Sequence, residues 1–269
     1  MKYFNKKILI TGASSGLGKT LAKSYAKEGG TIINLSRNIE KMKSLNYDLN
    51  ILHKSNHQFF SVDVSRYDDI LKIKNELKDK NMIPDIVVNN AAGNFLCPIE
   101  KISKNGWNRI IDIVLNGSFN ITHIFGKEMI KKKSGIFLNI TTTYANTGSA
   151  LVAPSASAKA GVDALMKSLT VEWSQYNIRF VGIAPGPIDE SGGMYILDKF
   201  GIYKKLNNYV NPRKRMGTQE EMAKLALYLT SKDADYINGE VVRIDGGELI
   251  KNSGEFNFLT NLPHYEKLF

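Results

Sequence analysis

The chain has 269 residues, 43% of them hydrophobic and 23% charged, with 36 Lys and Arg against 26 Asp and Glu for a formal net charge of +10. That is enough chain for one α/β domain with a sizeable buried core, and the charge favours anionic partners without choosing among them. No apolar run reaches the roughly 18 to 20 residues that cross a bilayer, the single cysteine, Cys97, rules out an internal disulfide, and the basic residues are scattered rather than gathered into a nucleic-acid surface.

Taken in chain order, short β-branched runs alternate with longer amphipathic stretches. The opening MKYFNKKILI leads straight into Lys7–Thr11, a continuous apolar run expected of a strand buried on both faces. It leaves no room for a signal peptide, so a cytoplasmic location is expected. A helix is predicted from about Leu17 to Lys27, stopped by Gly29-Gly30, then a strand over Thr31–Ser36 and a polar helix. A strand over Gln58–Val64, a helix from about Tyr67 to Lys80 and a strand over Asp85–Asn89 follow. One long helix is predicted to fill Lys104–Lys132, with a strand at Gly135–Ile140, a helix at Ser155–Tyr176 and a strand at Ile178–Ile183. Residues 185–217 read as irregular, ahead of a helix at Gln219–Ser231 and a strand at Glu240–Ile244.

Strands separated by full helical stretches build βαβ units, hence a Rossmann-type, doubly wound α/β fold: a parallel sheet of about seven strands with helices on both faces. No linker, repeat or low-complexity segment divides the chain, so residues 1–250 read as one domain and 251–269 as a tail packed on or near it. In such a sheet ligands bind beyond the carboxyl ends of the strands. That rule gathers Gly12–Gly18, Ser36-Arg37, Asp63-Val64, Asn89–Asn94, Thr141–Tyr144 and Pro185–Ile188 around one crevice.

The segment TGASSGLG (Thr11–Gly18) sets Gly12, Gly16 and Gly18 between a strand and a helix, with Ser14, Ser15 and Leu17 in the same loop. Glycine lets the backbone turn sharply and approach a pyrophosphate, and the helix start offers free N–H groups and the positive end of its dipole. The strand–loop–helix context makes this a dinucleotide site rather than a bare glycine turn. The second strand ends at Ser36-Arg37, where a site selective for NAD carries an acid to hold the ribose hydroxyls. A hydroxyl and a guanidinium suit a 2′-phosphate instead, so NADPH is the expected cofactor. Asp63 either accepts from the adenine amino group or caps the next turn. Val64, Asn90, Ala91, Ala92, Pro185, Gly186, Pro187 and Ile188 join the cofactor site by their place on the rim. The four histidines, His53, His57, His123 and His264, show no metal-ligand spacing, and no metal is expected.

The glycine loop, NNAAG (Asn89–Gly93) and PGPI (Pro185–Ile188) together resemble the short-chain dehydrogenase/reductase superfamily over essentially the whole chain. That superfamily normally carries Tyr-x-x-x-Lys on the helix after the fifth strand. The matching segment here is Ser155-Ala156-Ser157-Ala158-Lys159, with the lysine kept and a serine in the tyrosine's place; Thr142 stands where the usual upstream serine would be. A narrower likeness returns a tyrosine. NNAAGNF, DIVLNG (Asp112–Gly117), ITTTYA (Ile140–Ala145), PSASAKAGV (Pro154–Val162), PGPI and SGEFN (Ser253–Asn257) resemble the 2,4-dienoyl-CoA reductases, a match from about Gly12 to Asn257.

The resemblance implies that Tyr144 and Asn94 hold the substrate carbonyl, with Phe95 and Ser155 beside them, and that Lys159 holds the nicotinamide ribose. Ser155 either hydrogen-bonds the cofactor or caps its helix. In many superfamily members an asparagine of the preceding helix positions a water beside the lysine; Asn116 takes that part or simply kinks the helix. The implied reaction is hydride transfer from NADPH to the far end of a dienoyl thioester, with negative charge gathering on an oxygen that Tyr144 and Asn94 stabilise. Protonation of the alpha carbon by water then gives a 3-enoyl-CoA in unsaturated fatty-acid β-oxidation. The implied partners are an acyl-CoA substrate and further copies of the chain, a homotetramer packed through the helices at Lys104–Lys132 and Ser155–Tyr176, with no nucleic acid and no membrane insertion. Two arginines that help bind coenzyme A in that family are missing, with Ser65 and Ile196 in their places; Arg66 or the Arg213–Arg215 cluster are hypothetical substitutes. These gaps keep open reduction of another enoyl or carbonyl substrate, such as a 3-oxoacyl compound. Ser155 in the tyrosine position keeps open a catalytically silent NADPH-binding protein.

Overall fold

The computed structural model describes residues 1–189, 191, 197–198, 201–254 and 256–261. Seven strands form one sheet in the order β3-β2-β1-β4-β5-β6-β7, every neighbouring pair parallel. They are β1 (Lys7–Thr11), β2 (Thr31–Ser36), β3 (Gln58–Ser61), β4 (Ile86–Asn89), β5 (Gly135–Ile140), β6 (Ile178–Pro185) and β7 (Val241–Ile244). The connecting helices are α1 (Gly16–Lys27), α2 (Ile39–Leu52), α3 (Tyr67–Asp79), α4 (Lys104–Ile111), α5 (Gly117–Lys132), α6 (Tyr144–Thr147), α7 (Ala153–Trp173), α8 (Ile202–Val210), α9 (Gln219–Leu229) and α10 (Glu248–Lys251).

The continuous apolar strands are explained by cover on both faces. Leu9, Val87, Phe137 and Phe180 point into one hydrophobic cluster with α3, α5 and α7, whereas Ile8, Ile10, Val88, Leu138 and Val181 point into the other, with α1 and α9. The order reverses beside β1, between β2 and β4, so the crevice opens beyond the carboxyl ends of β1 and β4.

The structure departs from the expected elements in three places. The helix predicted over Lys104–Lys132 is two helices, α4 and α5, separated by a π-helical turn at Asp112–Asn116. Contact with the loop after β3 explains the break. A Cβ on Gly117 would fall 2.6 Å from Val64 Cγ2, and the Asn120 amide donates to the Val64 carbonyl at 3.0 Å. The widened turn absorbs an extra residue and keeps α5 against that loop. The stretch read as irregular contains α8, whose Tyr, Asn and Val residues are weak helix formers and hid it. Finally, β3 ends at Ser61, and Val62–Val64 continue as a rim loop. Ile196, Glu255 and residues 262–269, His264 included, lie outside the described residues. Among the described residues, no helix is long and apolar enough to cross a membrane.

Candidate active site

The dinucleotide end of the crevice is built from backbone. Gly12 and Gly16 hold left-handed conformations, φ +70 and +51, that strain any residue with a Cβ. Gly18 sits where a Cβ would come within 2.4 Å of the Gly12 carbonyl and 2.6 Å of Asn90 Nδ2. Asn90 and Ala91 button this loop to β4: the Asn90 amide donates to the Thr11 carbonyl at 2.9 Å, while Thr11 Oγ1 accepts from the backbone N–H groups of Asn90 and Ala91 at 3.0 and 2.9 Å. Ser15, at the start of α1, makes no capping bond, and the first turn carries no acid. The helix start therefore keeps its N–H groups and its positive dipole end for an anion.

Ser36 Oγ donates to Ser14 Oγ at 2.8 Å, tying the end of β2 to the glycine loop. Arg37 is exposed, with no side-chain partner among the described residues. No carboxylate closes β2, and glycines stand where Cβ atoms would clash; these features fit a dinucleotide with an added phosphate. Asp63 takes the turn-capping alternative. Its Oδ1 accepts from the Ser65 backbone N–H and hydroxyl at 3.1 and 2.7 Å, and its Oδ2 from Arg109 at 2.8 Å. Burial pushes the Asp63 carboxyl up, but the Ser65 and Arg109 bonds outweigh it and hold it below its ordinary value. The Val64 side chain is sealed in the core against Gly117. Pro185–Ile188 is pinned in turn: the Gly186 N–H donates to the Ile244 carbonyl at 3.0 Å, Pro187 accepts from the Gly217 N–H at 3.0 Å, and Ile188 is buried. Leu17 and Ala91 are half-buried on the rim, and Ala92 is exposed.

The reaction end is built from side chains. Asn94 Oδ1 accepts from the Phe95 backbone N–H at 2.9 Å, which fixes the amide and leaves Nδ2 to donate to the Tyr144 hydroxyl at 3.2 Å. Tyr144 opens α6, and its oxygen lies 3.4 Å from Ser155 Oγ on α7. With the phenol oxygen accepting from Asn94, its own proton is free for a second partner, and Asn94 retains another N–H. Lys159, one turn beyond Ser155, is buried and donates to the Ile140 carbonyl at the end of β5. Burial brings its ammonium down to about 8 from an ordinary 10.5, against an opposing pull from Asp163.

Two further expected members have other side-chain surroundings. Asn116 is exposed within the π-turn and its amide donates to Asp112 at 2.8 Å. Phe95 packs against the core, its ring 3.4 Å from where a Cβ on Gly106 would stand. The candidate coenzyme A cations are partly engaged where they stand: Arg66 pairs with Asp69 at 2.8 Å, and Arg215 makes two bonds to Glu221 at 2.9 and 2.6 Å. Arg109 and Asn120, which hold the Asp63-Val64 loop, were missed. No local signal marks them, because their partners come from a different element.

Residues 12–248 match the family model described as Enoyl-(Acyl carrier protein) reductase. The chain belongs to the short-chain dehydrogenase/reductase family. It is 41% identical to a probable (2E)-enoyl-CoA-producing 2,4-dienoyl-CoA reductase of Bacillus subtilis (strain 168), over 90% of this chain and 96% of that one. It is 35% identical to a probable (3E)-enoyl-CoA-producing 2,4-dienoyl-CoA reductase of Caenorhabditis elegans, over 96% of this chain and 86% of the relative. The crystal structure of a short chain dehydrogenase from Bacillus anthracis superposes with a TM-score of 0.84 at 42% identity, covering 91% of this chain and 96% of that one. As a short-chain dehydrogenase/reductase the chain is an oxidoreductase. It departs from the family's Tyr-x-x-x-Lys pattern in one informative way: the phenol arrives beside Ser155 from α6 rather than from α7 itself.

Proposed function

We propose that this short-chain dehydrogenase/reductase is an NADPH-dependent 2,4-dienoyl-CoA reductase acting in the β-oxidation of unsaturated fatty acids. The observation that carries the reading is the bonded chain Asn94–Tyr144–Ser155, which sets two donors side by side without a tyrosine in the Tyr-x-x-x-Lys position. The glycine loop with Ser14, Ser15 and Leu17, together with Ser36, Arg37, Asn90, Ala91, Ala92, Lys159 and Pro185–Ile188, would hold NADPH. When bound, it supplies a hydride to the far end of the diene.

Negative charge then spreads over C4, C2 and the thioester oxygen. Tyr144 and Asn94 donate to that oxygen, and by oxyanion-hole analogy each donor contributes about 2.7 to 4 kcal/mol to the transition state. Drawing the charge to the oxygen leaves C2 as the enolate carbon, so a water proton added there gives a 3-enoyl-CoA and consumes one proton per turnover. The same proton added at C4 gives a 2-enoyl-CoA, the product for which the Bacillus subtilis relative is named. Neither route requires a side chain to protonate an alcohol, which is why Ser155 suffices where a carbonyl reductase needs a phenol.

The Arg213–Arg215 cluster and Arg66 are the candidates for the coenzyme A phosphates, and an unchanged Michaelis constant for acyl-CoA in Arg66→Ala would exclude Arg66. The reading extends to a cytoplasmic homotetramer packed through α5 and α7, on which Phe119 and Val171 are 45% and 83% exposed. The test is NADPH oxidation with a 2,4-dienoyl-CoA against a 3-oxoacyl-CoA, with the product's double bond located by NMR. Turnover of the dienoyl compound to a 3-enoyl product is expected. Turnover of 3-oxoacyl-CoA alone would overturn the reading, and a 2-enoyl product would move the protonation from C2 to C4.

A further inference from the structure

Asp163 lies four residues beyond Lys159 on α7, a little over one turn, so the two side chains leave the helix on one side. Both are buried, Lys159 at 7% and Asp163 at 5% exposed, in a stretch whose neighbours Val162 and Met166 belong to the hydrophobic core. Aspartate is seldom found so deep unless a charge or a set of donors requires it. Asp163 Oδ1 is buried and accepts no hydrogen bond among the described residues. The Lys159 ammonium donates to the Ile140 carbonyl at the end of β5, on the side of α7 that Asp163 shares. The polar interior continues behind them through Asn139 and Asn89, whose side chains bond at 2.9 Å.

The ammonium of Lys159 has three N–H donors, and one is taken by Ile140. Leaving water disfavours its charged form, and in a poorly screened interior a nearby carboxylate is the strongest available opposing influence. We propose that Asp163 is a positioning residue: its buried carboxylate is the counter-charge that keeps Lys159 protonated, and therefore able to donate to a bound cofactor's ribose.

Several other charged groups on the elements around α7 are engaged elsewhere. Arg179 on β6 donates to the carbonyls of Leu229, Ser231 and Ile237, Arg109 on α4 to Asp63, and Glu128 on α5 accepts from Lys131. Asp112 in the π-turn accepts from Asn116, and the Tyr144 phenol on α6 meets Asn94 and Ser155. Lys167, one turn further along α7, is the second cation acting on Asp163.

The role rests on the reading of Lys159 as the lysine that holds the cofactor, so the experiment separates the two claims. Lysine labelled with carbon-13 at Cε, with the Lys159 signal assigned by its loss in Lys159→Met, reports the Lys159 titration by NMR without any cofactor. Asp163→Asn is expected to lower that titration by about 1 to 3 units, the usual effect of removing a close opposite charge. Asp163→Glu should restore most of it, and Asp163→Leu is the second variant should Asn fail to fold. An unshifted Lys159 in either folded variant overturns the proposal. NADPH affinity, read by fluorescence, should fall with rising pH in both proteins, in the parent as pH passes about 8 and in Asp163→Asn at a lower pH. Failure of the parent to bind NADPH at any pH would strike the cofactor reading and leave the counter-charge to be judged by the lysine titration.

Discussion

The two ends of the crevice are made of different materials. At the dinucleotide end the shape is set by backbone: glycines at positive φ, a helix start without an acid, and Asn90 clamping the loop across to β4. At the reaction end the shape is set by side chains from three separate elements, the loop after β4, α6 and α7, that meet through 3.2 and 3.4 Å contacts. The difference predicts how each end fails. A substitution at the first disturbs packing and cofactor affinity together, whereas one at the second removes chemistry and leaves the fold standing.

The sharpest way to test that contrast is Tyr144→Phe. The account expects kcat for a dienoyl-CoA to fall about 10²- to 10³-fold, as when one oxyanion donor is lost, with NADPH affinity and melting temperature unchanged. A parallel loss of cofactor binding would break the contrast. Arg37→Ala comes next. Charge-assisted hydrogen bonds are each worth about 1.5 to 3 kcal/mol, so the Michaelis constant for NADPH should rise roughly ten- to a hundredfold while that for NADH barely moves.

Gly18→Ala should do at the dinucleotide end what no reaction-end variant does. A Cβ 2.4 Å from a backbone carbonyl cannot be accommodated by a rotamer change, so overpacking of about 1 to 3 kcal/mol should appear in denaturant unfolding together with weakened NADPH binding. The smallest effect lies away from both ends. His57 Nδ1 accepts from the Ile32 N–H at 3.0 Å and its other ring nitrogen meets the His53 carbonyl, which holds the ring neutral, and burial lowers its titration below the ordinary 6.5. The unfolded chain therefore binds that proton more readily. The stability contributed by His57 is complete above about pH 6.5 and is lost as pH falls through the lowered folded value. Melting curves of the parent and His57→Gln should converge as pH drops through that window; curves that stay parallel would remove His57 from the account.

The same contrast explains what the sequence could show. The glycine loop, NNAAG and PGPI are local, and their spacing between strands and helices made the parallel sheet and its order reversal beside β1 legible. The reaction end was legible only through likeness to a family, because nothing local says that a tyrosine in a loop after β5 and an asparagine after β4 meet. Where the sequence left alternatives open or hid an element, the causes are tertiary. Asn116 sits in a π-turn created by the close approach of Gly117 to Val64, a contact invisible in a helical pattern. Asp63 was given to adenine or to a turn, and the cation that engages it, Arg109, lies 46 positions away. Helix α8 was lost among weak helix formers.

The central claim is that a phenol and a carboxamide polarise one thioester oxygen. Isotope-edited infrared difference spectroscopy reads that directly, with a dienoyl-CoA carrying carbon-13 at the thioester carbonyl bound to the protein and oxidised cofactor. The account predicts a carbonyl stretch shifted to lower frequency than in water, returning part of the way in Tyr144→Phe and further in the double variant with Asn94→Ala. A carbonyl frequency in the parent equal to that of free substrate, or one that neither substitution moves, would contradict it.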